Sequence, residues 1–118
     1  MKAVLVISHG SRSKKTKEEV LSLIDQLKQK NPIPIFECAF LEIESPNIPQ
    51  GLEVCIQKGA TEIIVLMNFL NAGRHVDQDV PQIVKETMMK HPGVRFRITS
   101  PVGQHPGIRD LFLDLLKG

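Results

Sequence analysis

The sequence predicts an α/β domain, a three-layer sandwich built on a four-stranded parallel sheet in the spatial order 2-1-3-4. Three observations predict it. Four strand patterns alternate with four helix patterns across 118 residues, without a linker, repeat or low-complexity segment. Two of the strand patterns, Ala3 to Ile7 and Ile63 to Met67, are apolar on both faces, as strands in the middle of a doubly covered sheet must be. The other two carry edge signals: prolines at the start of one, strict alternation in the other. Right-handed crossovers with the first and third strands central then give the order 2-1-3-4, and residues 1–118 form one domain.

Taken in order, Lys2 to Ser8 reads as a central strand. Ser11 or Ser13 caps the following helix, whose core stripe is Val20, Leu23, Ile24 and Leu27. Asn31-Pro32 stops it. Ile33 to Leu41 is the second strand, pushed toward an edge by Pro32 and Pro34. Ser45-Pro46-Asn47 opens the second helix, with Ile48, Leu52, Cys55 and Ile56 inward and Gly59 past its end. Glu62 to Met67 is the third strand. Val76 to Lys90 reads as the third helix, with Val80, Ile83, Val84, Thr87 and Met88 inward, and His91-Pro92-Gly93 ends it. Val94 to Thr99 alternates, with Val94, Phe96 and Ile98 inward and Arg95 and Arg97 outward. Pro106 opens the last helix, expected to turn Ile108, Leu111, Phe112 and Leu115 inward.

Composition excludes several function classes. A net charge of +2 is too small to argue for nucleic acid, and with no Trp or Tyr there are few platforms for base stacking. No apolar run reaches the roughly 18 residues of a membrane span, and the N-terminus enters a strand pattern at once, without a signal-peptide pattern. Cys38 and Cys55 stand apart, with no C-x-x-C, and read as core thiols of a cytoplasmic protein.

Ligands of such sheets bind beyond the carboxyl ends of the strands, where the strand order reverses. Here the reversal lies between the first and third strands. His9 follows the first in Ser8-His9-Gly10-Ser11-Arg12. His75 ends the loop after the third, Phe69-Leu70-Asn71-Ala72-Gly73-Arg74-His75. Glu42 lies on the same rim at the end of the second strand. Two imidazoles and a carboxylate suit a divalent metal such as cobalt, nickel, iron or zinc, held in an open site rather than a closed structural one. Imidazole also takes protons near neutral pH, with a carboxylate to orient it. Ser11, Arg12, Lys14, Lys15, Lys17 and Arg74 surround the histidines and attract carboxylates or phosphates. His91 reads as a turn residue, and His105, also before a proline, as structural.

These residues resemble a known family. Val6-Ile7-Ser8-His9-Gly10-Ser11-Arg12 is similar to the opening of class II tetrapyrrole chelatases, the CbiX- and SirB-type sirohydrochlorin chelatases. Phe69-Leu70, Gly73, His75 and Asp79-Val80-Pro81 resemble their second signature, and Phe40-Leu41-Glu42 a third. The resemblance covers essentially the whole chain. Val80 stands where isoleucine is commoner, and Arg74 falls at a variable place. The resemblance implies ATP-independent insertion of a divalent metal, Co²⁺ first with Ni²⁺ or Fe²⁺ as alternatives, into sirohydrochlorin or a close derivative. That chemistry serves cobalamin, sirohaem or related tetrapyrrole biosynthesis, and no cofactor beyond the metal substrate is expected. By the same resemblance His9 and His75 bind the metal, His9 also takes pyrrole protons, and Glu42 assists. Ser11, Arg12, Ser45 and the backbone of Leu70, Asn71, Ala72, Gly73 and Arg74 would touch the macrocycle. Long members of the family carry two such modules, so the short form implies a homodimer with its rims facing, and neither a nucleic-acid nor a membrane partner.

Two rivals follow from the same fold. Histidine phosphatases carry His-Gly after their first strand but need an arginine before the histidine, where Ser8 stands. A flavodoxin-like or receiver-like module, binding a metal or cofactor without catalysis, would share the sheet order. A receiver, however, needs acids where Ser8-His9 and Asn68-Phe69 stand.

Overall fold

The computed structural model covers residues 1–118; the side chain of His75 lies outside the described residues. The strands are β1 (Lys2–Ser8), β2 (Ile35–Phe40), β3 (Glu62–Met67) and β4 (Arg95–Ile98). They form one parallel sheet in the order β2-β1-β3-β4, as the sequence predicts. The helices are α1 (Lys14–Lys30), α2 (Ile48–Gln57), α3 (Val80–Lys90) and α4 (Gly107–Leu115).

Burial explains the central strands. Ala3, Leu5, Ile7, Ile63 and Val65 pack on the α2/α3 side with Ile48, Leu52, Cys55, Val80 and Val84. Val4, Val6, Phe36, Cys38, Phe40 and Ile64 pack on the other side with Val20 and Ile24 of α1. Each strand thus serves two cores at once, so a polar residue on either face would be buried without a partner. Cys38 and Cys55 are both free and buried. Helix α2 begins with a reciprocal cap: Gln50 N–H donates to Asn47 Oδ1 and Asn47 N–H to Gln50 Oε1, each at 2.9 Å.

Several sequence expectations need correcting. The third helix does not run as one α-helix from Val76; residues His75–Asp79 are π-wound and the α-helix starts at Val80. Pro81 has no N–H to give the carbonyl four residues back, so an α ladder running from Val76 would lose a bond there, and the α-helix instead opens with the proline in its first turn. Met88 and Leu23, placed inward by spacing, are 39% and 37% exposed at the margins of their helix stripes. The larger difference is α4. Its stripe is present, yet Leu111, Phe112, Leu113, Leu115 and Leu116 are 52% to 79% exposed and none of its residues is buried. Spacing reports that a helix has an apolar face, not which surface covers it, and in this chain α4 packs on the 3-10 turn Val102–Gln104. Ile98 is likewise part-exposed at the end of a β4 that spans only Arg95–Ile98.

Candidate functional site

The site is built by strand ladders that continue past their ends. Leu41 N–H donates to the Ser8 carbonyl at 2.9 Å and Glu42 N–H to the His9 carbonyl at 3.0 Å. These bonds extend the β1–β2 pairing by two residues and set Glu42 beside His9. The approach is close enough to require glycine next to it. Gly10 has φ +104°, and a Cβ there would lie 1.8 Å from the Glu42 carbonyl oxygen. The result is a side-chain contact: His9 Nε2 and Glu42 Oε1 are 2.7 Å apart, both side chains more than half exposed.

On the other flank, Asn68 N–H donates to the Ile7 carbonyl at 2.9 Å and its side-chain amide to Ser8 Oγ at 3.0 Å. This ties the end of β3 to the end of β1. The loop beyond is pinned at both ends by buried side chains, Phe69 and Val76. Between them Leu70, Asn71, Ala72, Gly73 and Arg74 are exposed, forming a crest above the rim. A Cβ on Gly73 would meet nothing within 4 Å, so the backbone there is bare and open to approach. The crest is braced from behind by Gly103, whose N–H donates to the Phe69 carbonyl at 3.0 Å. A Cβ on Gly103 would lie 1.6 Å from the Leu70 carbonyl oxygen.

His9 also faces a cleft of about 450 Å³ lined by Ser8, Gly10, Thr16, Glu19, Val20, Leu23 and Asn68. Thr16, Glu19, Val20 and Leu23 share one helical face of α1, which explains the exposed Leu23: it lines the cleft instead of closing the core.

The structure therefore joins His9 and Glu42 directly and sets the exposed crest on the same rim. The side chain of His75, expected to be the second metal ligand, lies outside the described residues. Among the described residues no group of three or more His, Cys, Asp or Glu side chains converges on a point. Arg12 is exposed beside the rim, and Ser11 Oγ accepts from Ser13 N–H at 3.1 Å, a turn-stabilising bond. Ser45 is also exposed, and its carbonyl accepts from Lys17 Nζ at 2.7 Å. Lys17 is thus committed to holding the β2–α2 loop, and Arg12, Lys14, Lys15 and Arg74 make no ion pair among the described residues. His91 pairs with Glu53 at 2.8 Å and joins α3 to α2, a structural role. His105 Nδ1 accepts from Gly107 N–H at 2.8 Å at the start of α4.

Four contributors were not singled out from sequence: Asn68, Glu19, Gly103 and Ile43. Ile43 follows Glu42, is 62% exposed and has φ +72°. A β-branched residue in that region is strained, and such strain concentrates at functional sites. Its signal in the sequence was an isoleucine in an otherwise polar stretch, Glu42-Ile43-Glu44-Ser45.

A parallel sheet with an exposed histidine–carboxylate pair at its switch point, open on one side to a bare glycine loop, defines a class by its architecture: an α/β module with polar side chains gathered on a shallow, open rim. Comparison with known proteins makes it specific. The CbiX family profile matches residues 3–118, and the chain belongs to that family. It is 34% identical over 114 residues to a sirohydrochlorin ferrochelatase of Priestia megaterium, covering 97% of this chain and 43% of that protein. It is 32% identical over 111 residues to a sirohydrochlorin cobaltochelatase of Sulfolobus acidocaldarius, covering 94% of this chain and 86% of that one. Among solved structures, the sirohydrochlorin chelatase SirB of Bacillus subtilis subspecies spizizenii in complex with cobalt superposes with a TM-score of 0.88 at 29% identity. That match covers 98% of this chain and 50% of SirB. The chain thus spans about half the length of several relatives it matches.

Proposed function

We propose that this protein inserts a divalent metal, Co²⁺ first among Co²⁺, Ni²⁺ and Fe²⁺, into sirohydrochlorin or a close derivative. The proposed setting is the cytoplasm, and the reaction needs neither ATP nor a further cofactor. The observation that carries the reading is the His9–Glu42 contact at 2.7 Å on an exposed rim. The choice of cobalt is supported by the cobaltochelatase relative, which has nearly the length of this chain.

Metal insertion has to bring the ion to the ring, remove two pyrrole protons and let the product go. An ionised Glu42 can only accept a hydrogen bond, so Nε2 of His9 donates to it. That fixes the tautomer and leaves Nδ1 with its lone pair free, to hold the incoming ion or to accept a pyrrole proton. The carboxylate also holds the imidazole in place, so the pair is arranged to act as a general base toward a pyrrole proton. Exposure on one side leaves the ligand set open, as is needed where an ion must be released. His75 is the proposed second metal ligand.

The ring itself would lie over the rim. Ile43 and Leu70, each 62% exposed, offer apolar contact to its face. The bare backbone of residues 70–74 and the Ser45 loop would contact its edge. Ser11, Arg12 and Arg74 would pair with its peripheral carboxylates. One rim covers one face of a macrocycle. A homodimer with its rims facing would enclose it and bring two sets of His9, Glu42 and His75 to one cleft.

The test is insertion of Co²⁺ into sirohydrochlorin by wild type and by Glu42→Gln, followed by absorbance. Glu42→Gln keeps the shape but removes the charge behind His9, and insertion should fall about 100-fold. An unchanged rate would remove the pair from the chemistry.

A further inference from the structure

Lys17 stands half-buried in the first turn of α1. Its Nζ donates to the Ser45 carbonyl at 2.7 Å and lies 5.9 Å from the centre of the Phe40 ring. The cation therefore spans from the helix after His9 to the loop that carries Glu42. That loop, residues 41–46, is fixed by backbone at its two ends. Leu41 and Glu42 N–H continue the ladder to β1, and Phe40 N–H donates to the Pro46 carbonyl at 2.9 Å. Between these ends the chain turns back over Ile43. Glu44 N–H donates to the Glu42 carbonyl at 2.8 Å, with Ile43 at φ +72°, a γ-turn of the rarer, strained kind. Apart from the His9–Glu42 contact itself, the one side-chain bond to this loop among the described residues comes from Lys17.

Glu44 gives Lys17 a second task. Its Oε2 is buried without a hydrogen-bond partner among the described residues, and a buried carboxylate oxygen is costly unless a cation stands near. Burial raises the pKa of the Cys38 thiol; Lys17 opposes that rise and Glu44 adds to it. Cation and carboxylate thus gather about one buried residue between α1 and β2. Replacing Lys17 by a neutral side chain would take the donor from Ser45 and the compensating charge from Glu44 together. Glu42 would feel the loss, because the ladder fixes only its N–H side. Its carbonyl side is set by the strained turn, three residues from Ser45.

We propose that Lys17 is a positioning residue of the metal-insertion site: by holding the Ser45 carbonyl it fixes the turn over Ile43 and keeps the Glu42 carboxylate on His9 Nε2. Its charge serves the loop and is not an anchor for the carboxylates of the substrate. The effect on rate rests on the function proposed above; the effect on geometry belongs to the resting protein.

The test compares Lys17→Met and Lys17→Arg with wild type in the full chain. Methionine keeps an unbranched stem beside Phe40 and suits a helix as lysine does, but cannot donate. Arginine keeps both charge and donors. The first readout is the nitrogen chemical shifts of the His9 imidazole, by NMR at mildly alkaline pH without metal or tetrapyrrole. His9→Ala assigns the signals, and Glu42→Ala gives those of a ring without its partner. In Lys17→Met the shifts should move from the wild-type values toward those of Glu42→Ala, and in Lys17→Arg they should return. The second readout is Co²⁺ insertion into sirohydrochlorin. Lys17→Met should lower kcat about 10-fold, as loss of a group that orients a metal-site residue does, with KM for sirohydrochlorin little changed. Lys17→Arg should recover most of the rate.

Unchanged His9 shifts in a Lys17→Met protein with the circular dichroism of wild type would overturn the proposal. So would a raised KM at unchanged kcat, which would make Lys17 an anchor for the tetrapyrrole. A Lys17→Arg protein that behaves as Lys17→Met would overturn the tie through Ser45. Wild-type protein that inserts no metal would overturn the chelatase reading alone, and the imidazole shifts would still decide whether Lys17 holds Glu42 on His9.

Discussion

Gly103 lies outside the rim but decides where the rim loop sits, and Gly103→Ala tests that placement. A methyl there would fall 1.6 Å from the Leu70 carbonyl oxygen and 2.5 Å from its carbon. An ordinary contact begins near 3.4 Å, so the turn and the crest must separate by about 1.8 Å. The obstacle is backbone, which cannot rotate away as a side-chain tip can. The 3.0 Å bond from Gly103 N–H to the Phe69 carbonyl would open with it. A lost backbone bond costs about 1 kcal/mol and overpacking about 1–3 kcal/mol, so Tm should fall by roughly 5–15 °C. Displacing the crest by more than 1 Å should also cut metal insertion about 100-fold, with the His9–Glu42 pair intact. Gly73→Ala is the control: nothing lies within 4 Å of the added methyl, and Tm should move little. The assays are thermal unfolding and the sirohydrochlorin absorbance assay on both variants. A Gly103→Ala protein with wild-type Tm and rate would refute the bracing role.

Other expectations follow from the same structure. His91→Ala removes the 2.8 Å contact to Glu53 and should cost about 1 kcal/mol in denaturant unfolding while leaving insertion unchanged; a lost activity would place His91 in the site. Burial pushes the Cys55 thiol up to about 12 from its ordinary 9.0, and burial also raises Cys38. Both thiols should resist thiol reagents in native protein at neutral pH and react only on unfolding, which a timed labelling experiment checks. The folded state keeps the Cys55 proton while the unfolded chain loses it above pH 9.0. Stability from this group is therefore complete below pH 9 and declines from there toward pH 12, and Cys55→Ala should flatten that alkaline decline in a pH series of unfolding curves. Asn68→Ala should free Ser8 Oγ and loosen the β1–β3 junction, lowering insertion while His9 and Glu42 remain; an unaffected rate would confine Asn68 to the fold.

Strand order and core were legible because they rest on short-range patterns. Apolar runs such as Ala3 to Ile7 can only be central strands, and the prolines before β2 can only sit at an edge. His9 and Glu42 could be brought to one rim from topology alone, since both follow strand ends that pair. Their contact could not, because it depends on two backbone bonds past the strand ends and on the clearance at Gly10. Ile43 and Gly103 were hidden for a similar reason. A positive φ and a carbonyl at 1.6 Å from a missing methyl are properties of the folded backbone, not of residue spacing. Lys17 looked like one of several rim cations until the structure showed it holding the Ser45 carbonyl. The inward turn expected of α4 failed because periodicity shows that a helix face wants cover without showing what supplies it.

The central claim is metal insertion at the His9–Glu42 rim. Its most direct test is an anaerobic absorbance assay with sirohydrochlorin and each of Co²⁺, Ni²⁺ and Fe²⁺, comparing wild type, His9→Ala and His75→Ala with the uncatalysed rate. Accelerated insertion by wild type, fastest with Co²⁺ and lost in both folded variants, is the predicted result. No acceleration with any of the three ions, by folded wild-type protein, would contradict it.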